Sequence, residues 1–258
     1  MKNLKITLVQ PEIIWHKIPE NLNHLEYLIK KNNPESDLII LPEMFNTGFT
    51  MKPSEVSEDM NGDTIKFLLR LSREISSDMT GSIPVKENGV FYNRIVWVKP
   101  GGEIFTYDKR HLFRMGGEDK VYSPGGSHLT VNINGWNIRP FICYDLRFPV
   151  WSRNCGMEYD VAIFSANWPA VRDFHWETLL RARAIENQCY VAGVNRTGHD
   201  GNRIAYNGKS AVIDYYGNIM YSADESECVK TVELPYSGLE TYRKNFPAWE
   251  DGDKFKLL

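Results

Sequence analysis

The chain has 258 residues, of which 42% are hydrophobic and 24% are charged. This length and apolar content suit one folded domain with an ample core, so we expect residues 1–258 to form a single domain. Its 30 basic and 33 acidic residues give a formal net charge of −3. This balance argues against nucleic acid or an anionic membrane as a partner and favours a small molecule or another protein chain.

The N-terminus, the cysteines and the histidines bear on location and cofactors. Residues 1–10 lack the apolar region of a signal peptide and no stretch is long enough to cross a membrane, so we expect a cytoplasmic protein. The 4 cysteines form no C-x-x-C pair, and the 6 histidines form no H-x-x-x-H pattern. We therefore expect no disulfide, no metal site and no cofactor.

Strands and helices alternate at the start of the chain. They are predicted at residues 4–9 (strand), 19–31 (helix), 37–41 (strand) and 63–77 (helix, with Asp63 as its N-cap). The order is typical of an α/β fold.

The middle of the chain is rich in strands that pair as hairpins. These strands are predicted at residues 90–98, 103–107, 129–133 and 136–142. Pro100-Gly101-Gly102 forms the turn of the first hairpin. Asn134-Gly135 forms that of the second and suits the positive φ angles of a type I′ turn.

Helices and strands alternate again after Cys143. We predict helices at residues 146–155 and 173–187, strands at 159–165, 189–194, 210–213 and 228–233, and an extended tail at 246–258. No repeat or linker divides the chain. The predicted fold class is therefore α/β.

Three segments place a reactive side chain just beyond an apolar strand, where the ligand sites of α/β proteins gather. They are Leu41-Pro42-Glu43, Asp108-Lys109-Arg110 and Ile142-Cys143-Tyr144. A thiol with its ordinary pKa of ~8.5 is mostly protonated at neutral pH, so a cysteine nucleophile needs a base or a positive charge nearby. A carboxylate can take the thiol proton, while an ammonium favours the thiolate and then an oxyanion. The segments supply both groups.

Each of the three residues also has a purely structural interpretation. A free cysteine is more often an inert buried hydrophobe than a nucleophile. Glu43 can be a loop carboxylate, and Lys109 stands in a charged cluster typical of a solvated face. A base, a cation and a thiol together favour nucleophilic catalysis.

These segments, in this order, resemble the Glu, Lys and Cys motifs of the nitrilase (carbon–nitrogen hydrolase) superfamily. Residues 175–188 resemble that family's long helix, so the resemblance covers nearly the whole chain. It implies Glu43, Lys109 and Cys143 as catalytic residues, a four-layer α-β-β-α sandwich, and a homodimer or a multiple of dimers. We expect the tail to dock at the dimer interface. The resemblance also implies a second glutamate, which corresponds to Glu118; either it takes part in catalysis or it supports the lysine.

Within the superfamily, residues 41–51 (LPEMFNTGFTM) and 143–154 (CYDLRFPVWSRN) look most like the bacterial omega-amidases. These enzymes hydrolyse the side amide of 2-oxoglutaramate and 2-oxosuccinamate. Such a substrate has a carboxylate at the end opposite the amide, which arginine is suited to bind bidentately. We expect Arg172 to bind this carboxylate, and Tyr144 and Trp168 to form apolar walls or to hydrogen-bond the ligand.

Two alternatives for the function stay open. Another carbon–nitrogen hydrolase, acting on a carbamoyl compound, a nitrile or a different amide, would carry the same three residues. A non-catalytic binding protein of the same fold is the second, although the intact set argues against it. Arg172 can also be a helix-start residue or a partner of Asp173, and we expect Asp145 and Arg147 to brace the turn at the cysteine.

Overall fold

The computed structural model describes residues 1–253 and 255. Its strands are β1 (Leu4–Gln10), β2 (Leu38–Ile40), β3 (Asp78–Glu87), β4 (Val90–Val98), β5 (Ile104–Asp108), β6 (Val131–Ile133), β7 (Trp136–Ile142), β8 (Val161–Ser165), β9 (Tyr190–Val194), β10 (Thr197–His199), β11 (Ala205–Asn207), β12 (Ala211–Ile213), β13 (Ile219–Ser222) and β14 (Cys228–Leu234). Its α-helices are α1 (Ile18–Asn32), α2 (Pro53–Val56), α3 (Asp63–Ile75), α4 (Asp173–Asn187) and α5 (Tyr236–Asn245).

The strands form two mixed sheets and one separate hairpin. The first sheet has the order β14-β1-β2-β3-β4-β5, the second has the order β13-β12-β9-β8-β7-β6, and β10 pairs with β11. Strands β1, β2 and β3 are parallel, and so are β7, β8 and β9. The carboxyl ends of parallel strands meet at one edge of a sheet. The residues that follow β2 and β7 are therefore delivered to such edges.

Both faces of each sheet are buried, because alternate side chains of a strand face the other sheet and the outer helices. In β2, Leu38 and Ile40 face the second sheet, while Ile39 faces α1 and α3. In β8, Ile163 faces the first sheet and Phe164 faces α4. Parallel strands covered on both faces are apolar at nearly every position, as these are. The layers follow the order α-β-β-α, which confirms the predicted fold class.

The outer helices pack through apolar stripes at helical spacing. Leu25 of α1 and Leu68 of α3 belong to one buried cluster on the first sheet. On the second sheet, Trp176 and Leu180 of α4 come so close to β9 that a Cβ on Gly193 would lie 2.5 Å from Leu180 Cδ1 and 2.7 Å from Trp176 Cζ2. A glycine is required where this helix crosses the strand.

Strand β3 is absent from the predicted elements because it contains Gly81 and Pro84. Proline lacks an N–H group and is rare inside sheets. Here the carbonyl of Pro84 accepts from the N–H of Glu58, so the polar groups of Pro84 face away from β4. Gly81 lies so close to the segment after β2 that a Cβ would come within 2.7 Å of Leu41 Cβ.

The predicted helix at residues 146–155 is wrong. The structure has a five-residue 3-10 helix at Cys143–Arg147 and irregular chain up to a 3-10 turn at Cys155–Met157. Pro149 disfavours helical backbone at the residue before it. Asn154 then donates to the carbonyl of Tyr159 at 2.8 Å and so ties the irregular chain to the approach to β8.

The remaining differences are short or terminal elements. Helix α3 begins at Asp63 with Gly62, not Asp63, at its N-cap. Helices α2 and α5 and strands β10, β11 and β13 are not among the predicted elements, because short segments give too few periods to be recognised. Among the described helices, none is long and apolar enough to cross a bilayer.

The predicted tail at residues 246–258 is described only in part. Gln188, which follows α4, donates from Nε2 to the carbonyl of Phe246 at 2.7 Å and accepts from the N–H of Trp249 at 3.2 Å. The start of the tail is thus fastened to the end of α4. Residues 254 and 256–258 lie outside the described residues.

Candidate active site

Glu43, Lys109 and Cys143 meet where strands of the two sheets end. Glu43 lies just beyond β2, Lys109 follows β5 and Cys143 follows β7. All three line one cavity of about 550 Å³. The three residues that the sequence places at strand ends are therefore brought together.

Glu43 and Lys109 form a buried ion pair. Lys109 Nζ lies 2.7 Å from Glu43 Oε1, and the side chains are 1% and 0% exposed. The other oxygen, Glu43 Oε2, accepts from the N–H of Asn167 at 2.9 Å. The side-chain amide of Asn167 also donates to the carbonyl of Glu43. These contacts fix the carboxylate at the cavity wall.

Glu118 is the second carboxylate that contacts Lys109. Its two oxygens lie 3.0 and 2.9 Å from Lys109 Nζ. Burial raises the pKa of Glu118; the ammonium of Lys109 opposes this shift and the charge of Glu43 adds to it. Burial by itself lowers the pKa of Lys109, but the charges of Glu118 and Glu43 outweigh burial, and the pKa of Lys109 is raised. Lys109 therefore stays charged between the two carboxylates.

Asn93, which is not among the predicted site residues, joins the two carboxylates. Its Nδ2 donates to Glu43 Oε1 at 2.8 Å and to Glu118 Oε1 at 3.0 Å. Its Oδ1 accepts from the hydroxyl of Ser82 at 2.8 Å, and Ser82 Oγ accepts from the N–H of Met44 at 3.0 Å. Asn93 and Ser82 are fully buried polar residues on the paired strands β4 and β3. A polar residue inside an apolar strand is the signal that could have identified them, because buried polar groups must be hydrogen-bonded.

Cys143 lies at a strained turn that Asp145 holds. The backbone of Cys143 has φ 40°, a left-handed conformation that non-glycine residues rarely adopt. Asp145 Oδ2 accepts from the N–H of Ile142 at 3.1 Å and from the hydroxyl of Tyr107 at 2.7 Å. Asp145 Oδ1 accepts from the N–H of His111 at 3.0 Å. One buried carboxylate thus fastens the turn to β7 and to the segment that carries Lys109.

The thiol of Cys143 has a raised pKa. Burial is the largest cause, the negative charge of Glu43 adds to it, and the positive charge of Lys109 opposes it. The sequence predicts that Lys109 favours the thiolate; the structure shows this effect, but burial and Glu43 outweigh it. The thiol is therefore protonated at neutral pH, beside a carboxylate that can accept its proton.

Tyr144, Trp168 and Arg172 line the same cavity. The ring of Tyr144 packs edge-on against Phe113, with ring centroids 5.2 Å apart. Trp168 Nε1 donates to the carbonyl of Arg172 at 2.8 Å. Trp168 is thus a wall that supports the turn carrying Arg172, and its N–H is already occupied by protein.

Arg147 also lines the cavity, a position that the sequence does not predict. Its guanidinium lies 4.7 Å from the ring centroid of Trp168, and its Nη2 donates to His175 Nδ1 at 3.1 Å. Burial lowers the pKa of Arg147, and the positive charge of Arg172 lowers it further. Within residues 1–253 and 255, neither arginine has a carboxylate within 4.0 Å. The cavity therefore presents two neighbouring cations without a protein counter-ion.

The arrangement combines a thiol, a buried base and a fixed ammonium, which suits nucleophilic attack on a carbonyl group followed by stabilisation of the oxyanion. In the part of the chain that the structure describes, histidines, cysteines and carboxylates form no cluster of three or more that could hold a metal ion.

Comparison with known proteins identifies the family. Residues 5–244 match the carbon-nitrogen hydrolase family. The chain is 44% identical over 260 aligned positions to the omega-amidase YafV of Escherichia coli (strain K12), with 100% of both chains covered. It is 31% identical over 250 positions to the 2-oxoglutaramate amidase of Bacillus subtilis (strain 168), with 95% of this chain and 96% of the relative covered. A CN-hydrolase superfamily protein from Xanthomonas campestris, solved with an arsenic adduct in its active site, superposes with a TM-score of 0.98 at 42% identity and 100% coverage of both chains. The chain therefore belongs to the carbon–nitrogen hydrolase family.

Proposed function

We propose that this protein is an omega-amidase that hydrolyses the side amide of 2-oxoglutaramate or 2-oxosuccinamate to the 2-oxo dicarboxylic acid and ammonia. The observation that carries the proposal is one cavity in which the thiol of Cys143 lies beside the buried Glu43–Lys109 pair, together with two arginines, Arg147 and Arg172. The relatives named omega-amidase and 2-oxoglutaramate amidase support the same substrate class.

Acylation begins with Glu43 as the general base. Because the thiol is protonated at rest, it gives its proton to Glu43 as Sγ of Cys143 attacks the amide carbon. The carbonyl oxygen becomes an oxyanion, which the ammonium of Lys109 and the backbone N–H of Tyr144 stabilise. Such a donor is typically worth about 3 kcal/mol in the transition state.

The proton on Glu43 then completes the first half of the reaction. Glu43 returns it to the amide nitrogen, the carbon–nitrogen bond breaks, and ammonia leaves a thioester on Cys143. Glu43 next takes a proton from water, whose oxygen attacks the thioester carbon. The carbon–sulfur bond breaks, Glu43 protonates Sγ, and both residues regain their starting state as the acid departs.

Glu118 acts by positioning Lys109. Both of its oxygens contact Lys109 Nζ, and its Oε2 also accepts from the N–H of Phe113 at 2.6 Å. The scheme needs no proton on Glu118. Its contribution is to keep the ammonium between the two carboxylates, facing the thiol.

Arg172 binds the carboxylate at the far end of the substrate. Its guanidinium lies 5.6 Å from the ring centroid of Phe113, at the cavity wall. The planar fork of arginine pairs bidentately with a carboxylate. Arg172→Ala is therefore expected to raise KM for 2-oxoglutaramate strongly while changing KM for a neutral short-chain amide little.

One panel of substrates tests the proposal. Ammonia release is measured from 2-oxoglutaramate, 2-oxosuccinamate, a carbamoyl amino acid and a nitrile, with the Cys143→Ala protein as the control. We expect turnover of the two 2-oxo amides by the wild type alone. Carbon dioxide released with the ammonia would identify a carbamoylase, turnover of the nitrile alone a nitrilase, and turnover by Cys143→Ala would refute the thioester mechanism.

We also propose a homodimer in which the outer face of α4 meets its copy, with the start of the tail beside it. Large apolar side chains stay exposed there: Phe174 is 76%, Ile185 51% and Phe246 58% exposed. Apolar exposure of this size is typical of an interaction surface. Ile185→Asp is expected to yield monomers in sedimentation-velocity experiments; an unchanged sedimentation coefficient would contradict this interface.

Single-domain organisation and a cytoplasmic location complete the proposal. Strand β14, the last of the described strands, pairs with β1, the first, so one sheet joins distant parts of the chain, which predicts a single cooperative unfolding transition. A reducing compartment would keep the thiol of Cys143 free for catalysis.

A further inference from the structure

The cavity is lined by two guanidinium groups, but an omega-amide substrate with one carboxylate needs only one of them to bind that carboxylate. Arg172 and Arg147 both line the cavity, and each lies over an aromatic ring. The two charges are close enough that Arg172 lowers the pKa of Arg147. Two like charges held together repel each other, and the described residues supply no carboxylate within 4.0 Å of either, so a role for the second cation is sought in the substrate.

Arg147 is held in place by the protein. Its guanidinium is stacked on Trp168, and Nη2 is engaged by His175 Nδ1 at 3.1 Å. A guanidinium carries five donors, and among the described residues the hydrogen bond to His175 is the one that Arg147 makes, which leaves its other N–H groups available to a ligand. Arg147 therefore presents a fixed positive charge and free donors beside Arg172.

The carboxylates around the cavity do not offset these charges. Glu43 is engaged by Lys109, Asn93 and Asn167. The other carboxylate lining the cavity is Asp200. Its Oδ1 accepts from the N–H groups of Asn202 and Ile204, at 2.8 and 2.9 Å, and its Oδ2 accepts from the hydroxyl of Tyr206 at 3.1 Å. An ammonium group on a ligand would thus meet two cations and find both carboxylates already engaged.

We propose that Arg147 is a specificity-determining residue that selects a carbonyl oxygen and rejects an ammonium on the carbon next to the substrate carboxylate. This inference rests on the proposed omega-amidase function and names the part of the substrate that the second arginine recognises. Once Arg172 holds the carboxylate, Arg147 faces the neighbouring carbon. A 2-oxo group accepts a hydrogen bond there, whereas the ammonium of an α-amino acid is repelled. The cavity thereby separates 2-oxo acid amides from glutamine and asparagine.

Three five-carbon amides that differ only at this carbon test the inference: 2-oxoglutaramate, glutaramate, which has no substituent there, and glutamine. For Arg147→Met, we expect kcat/KM for 2-oxoglutaramate relative to glutaramate to fall about tenfold, and kcat/KM for glutamine relative to glutaramate to rise about tenfold. Arg147→Lys keeps the charge and should still reject glutamine. Arg172→Met, the matched control, should raise KM for all three amides by a similar factor.

The ratios distinguish a failure of this inference from a failure of the proposed function. If Arg147→Met changes all three amides by the same factor, Arg147 does not recognise this carbon, although the enzyme remains an omega-amidase. If the wild type releases ammonia from none of them, the proposed function fails and this inference with it. Should Arg147→Met not fold, competitive inhibition of the wild type by 2-oxopentanoate, pentanoate and 2-aminopentanoate gives the same comparison. We expect inhibition to weaken in that order, and an equal or reversed order would overturn the inference.

Discussion

Asn93 donates hydrogen bonds from one nitrogen to both Glu43 and Glu118, at 2.8 and 3.0 Å. The same two oxygens also accept from Lys109 Nζ, so a neutral amide and a charged ammonium both bridge the two buried carboxylates. Each of these two buried oxygens therefore accepts from both an amide and an ammonium. This arrangement means that removing any one member leaves the others with unmet charge or hydrogen-bonding capacity.

Glu43→Gln removes the proposed general base while nearly preserving the shape of the side chain. We expect kcat for ammonia release to fall about 10³-fold, in the range typical of lost acid–base catalysis. KM should change little, because Glu43 lies at the thiol end of the cavity. Steady-state assays with 2-oxoglutaramate measure both constants, and a kcat within tenfold of the wild-type value would mean that another group takes the thiol proton.

The pH dependence of alkylation reports the state of Cys143. Because burial and the charge of Glu43 raise the pKa of this thiol, its reaction rate with iodoacetamide should rise with pH and reach its half-point above the ordinary thiol pKa of ~8.5. Glu43→Gln removes a charge that raises the pKa, so the half-point should move to lower pH. Lys109→Met removes a charge that lowers it, so the half-point should move to higher pH. Peptide mass spectrometry separates Cys143 from the other three cysteines, and equal half-points in all three proteins would show that the thiol does not sense either charge.

Lys109→Met should destabilise the fold, because Glu43 and Glu118 would be left as buried carboxylates without their cation. Breaking a buried ion pair typically costs about 3–5 kcal/mol, which urea denaturation would measure as a lower free energy of unfolding. Burial already raises the pKa of Glu118, and losing Lys109 raises it further. The loss in the free energy of unfolding should therefore be largest at pH values above the raised pKa of Glu118 in the folded variant. It should vanish below about pH 4.3, the pKa of Glu118 in the unfolded chain, where the carboxyl is protonated in both states.

The double variant Lys109→Met/Glu118→Gln is the control for that experiment. It leaves one buried carboxylate, which still accepts from Asn93 and Asn167. We expect it to be more stable than Lys109→Met alone. If it were less stable, the loss would come from the packing of the lysine stem and not from unpaired charge.

The alternation of helices and strands, and the places where strands end, could be predicted from the sequence, because both depend on residues that are adjacent in the chain. This is why β7 and α4 lie where the sequence predicts them, and why Glu43, Lys109 and Cys143 each follow a strand as expected. Asn93 stands out in the sequence as a polar residue inside an apolar strand, but its partners Glu43 and Glu118 could not be predicted, since they follow from the pairing of β3 with β4 and from the loop that carries Glu118. The cavity position of Arg147 could not be predicted either, because a charged residue in a short 3-10 helix has no periodic pattern. The direction of the Cys143 pKa shift required the balance between burial, Glu43 and Lys109, which only the three-dimensional arrangement supplies.

Asp145→Asn tests whether the strained turn at Cys143 depends on one carboxylate. Asp145 accepts from the N–H groups of Ile142 and His111 and from the hydroxyl of Tyr107, and an asparagine would turn an NH₂ group toward one of these donors. We expect a loss of about 1–3 kcal/mol in the free energy of unfolding. We also expect a larger fall in kcat than in KM, because the thiol would leave its position beside Glu43.

Asp160→Asn is the matched control for this turn. Asp160 is also buried and also accepts from a backbone N–H, that of Asn137 at 3.0 Å, as well as from Arg243 at 2.6 Å, but it does not line the cavity. Its substitution should lower stability by a comparable amount and leave kcat unchanged. Equal effects of the two substitutions on kcat would mean that catalysis responds to overall stability. A fall confined to Asp145→Asn would show that this carboxylate holds Cys143 at φ 40°, where the thiol lies beside Glu43.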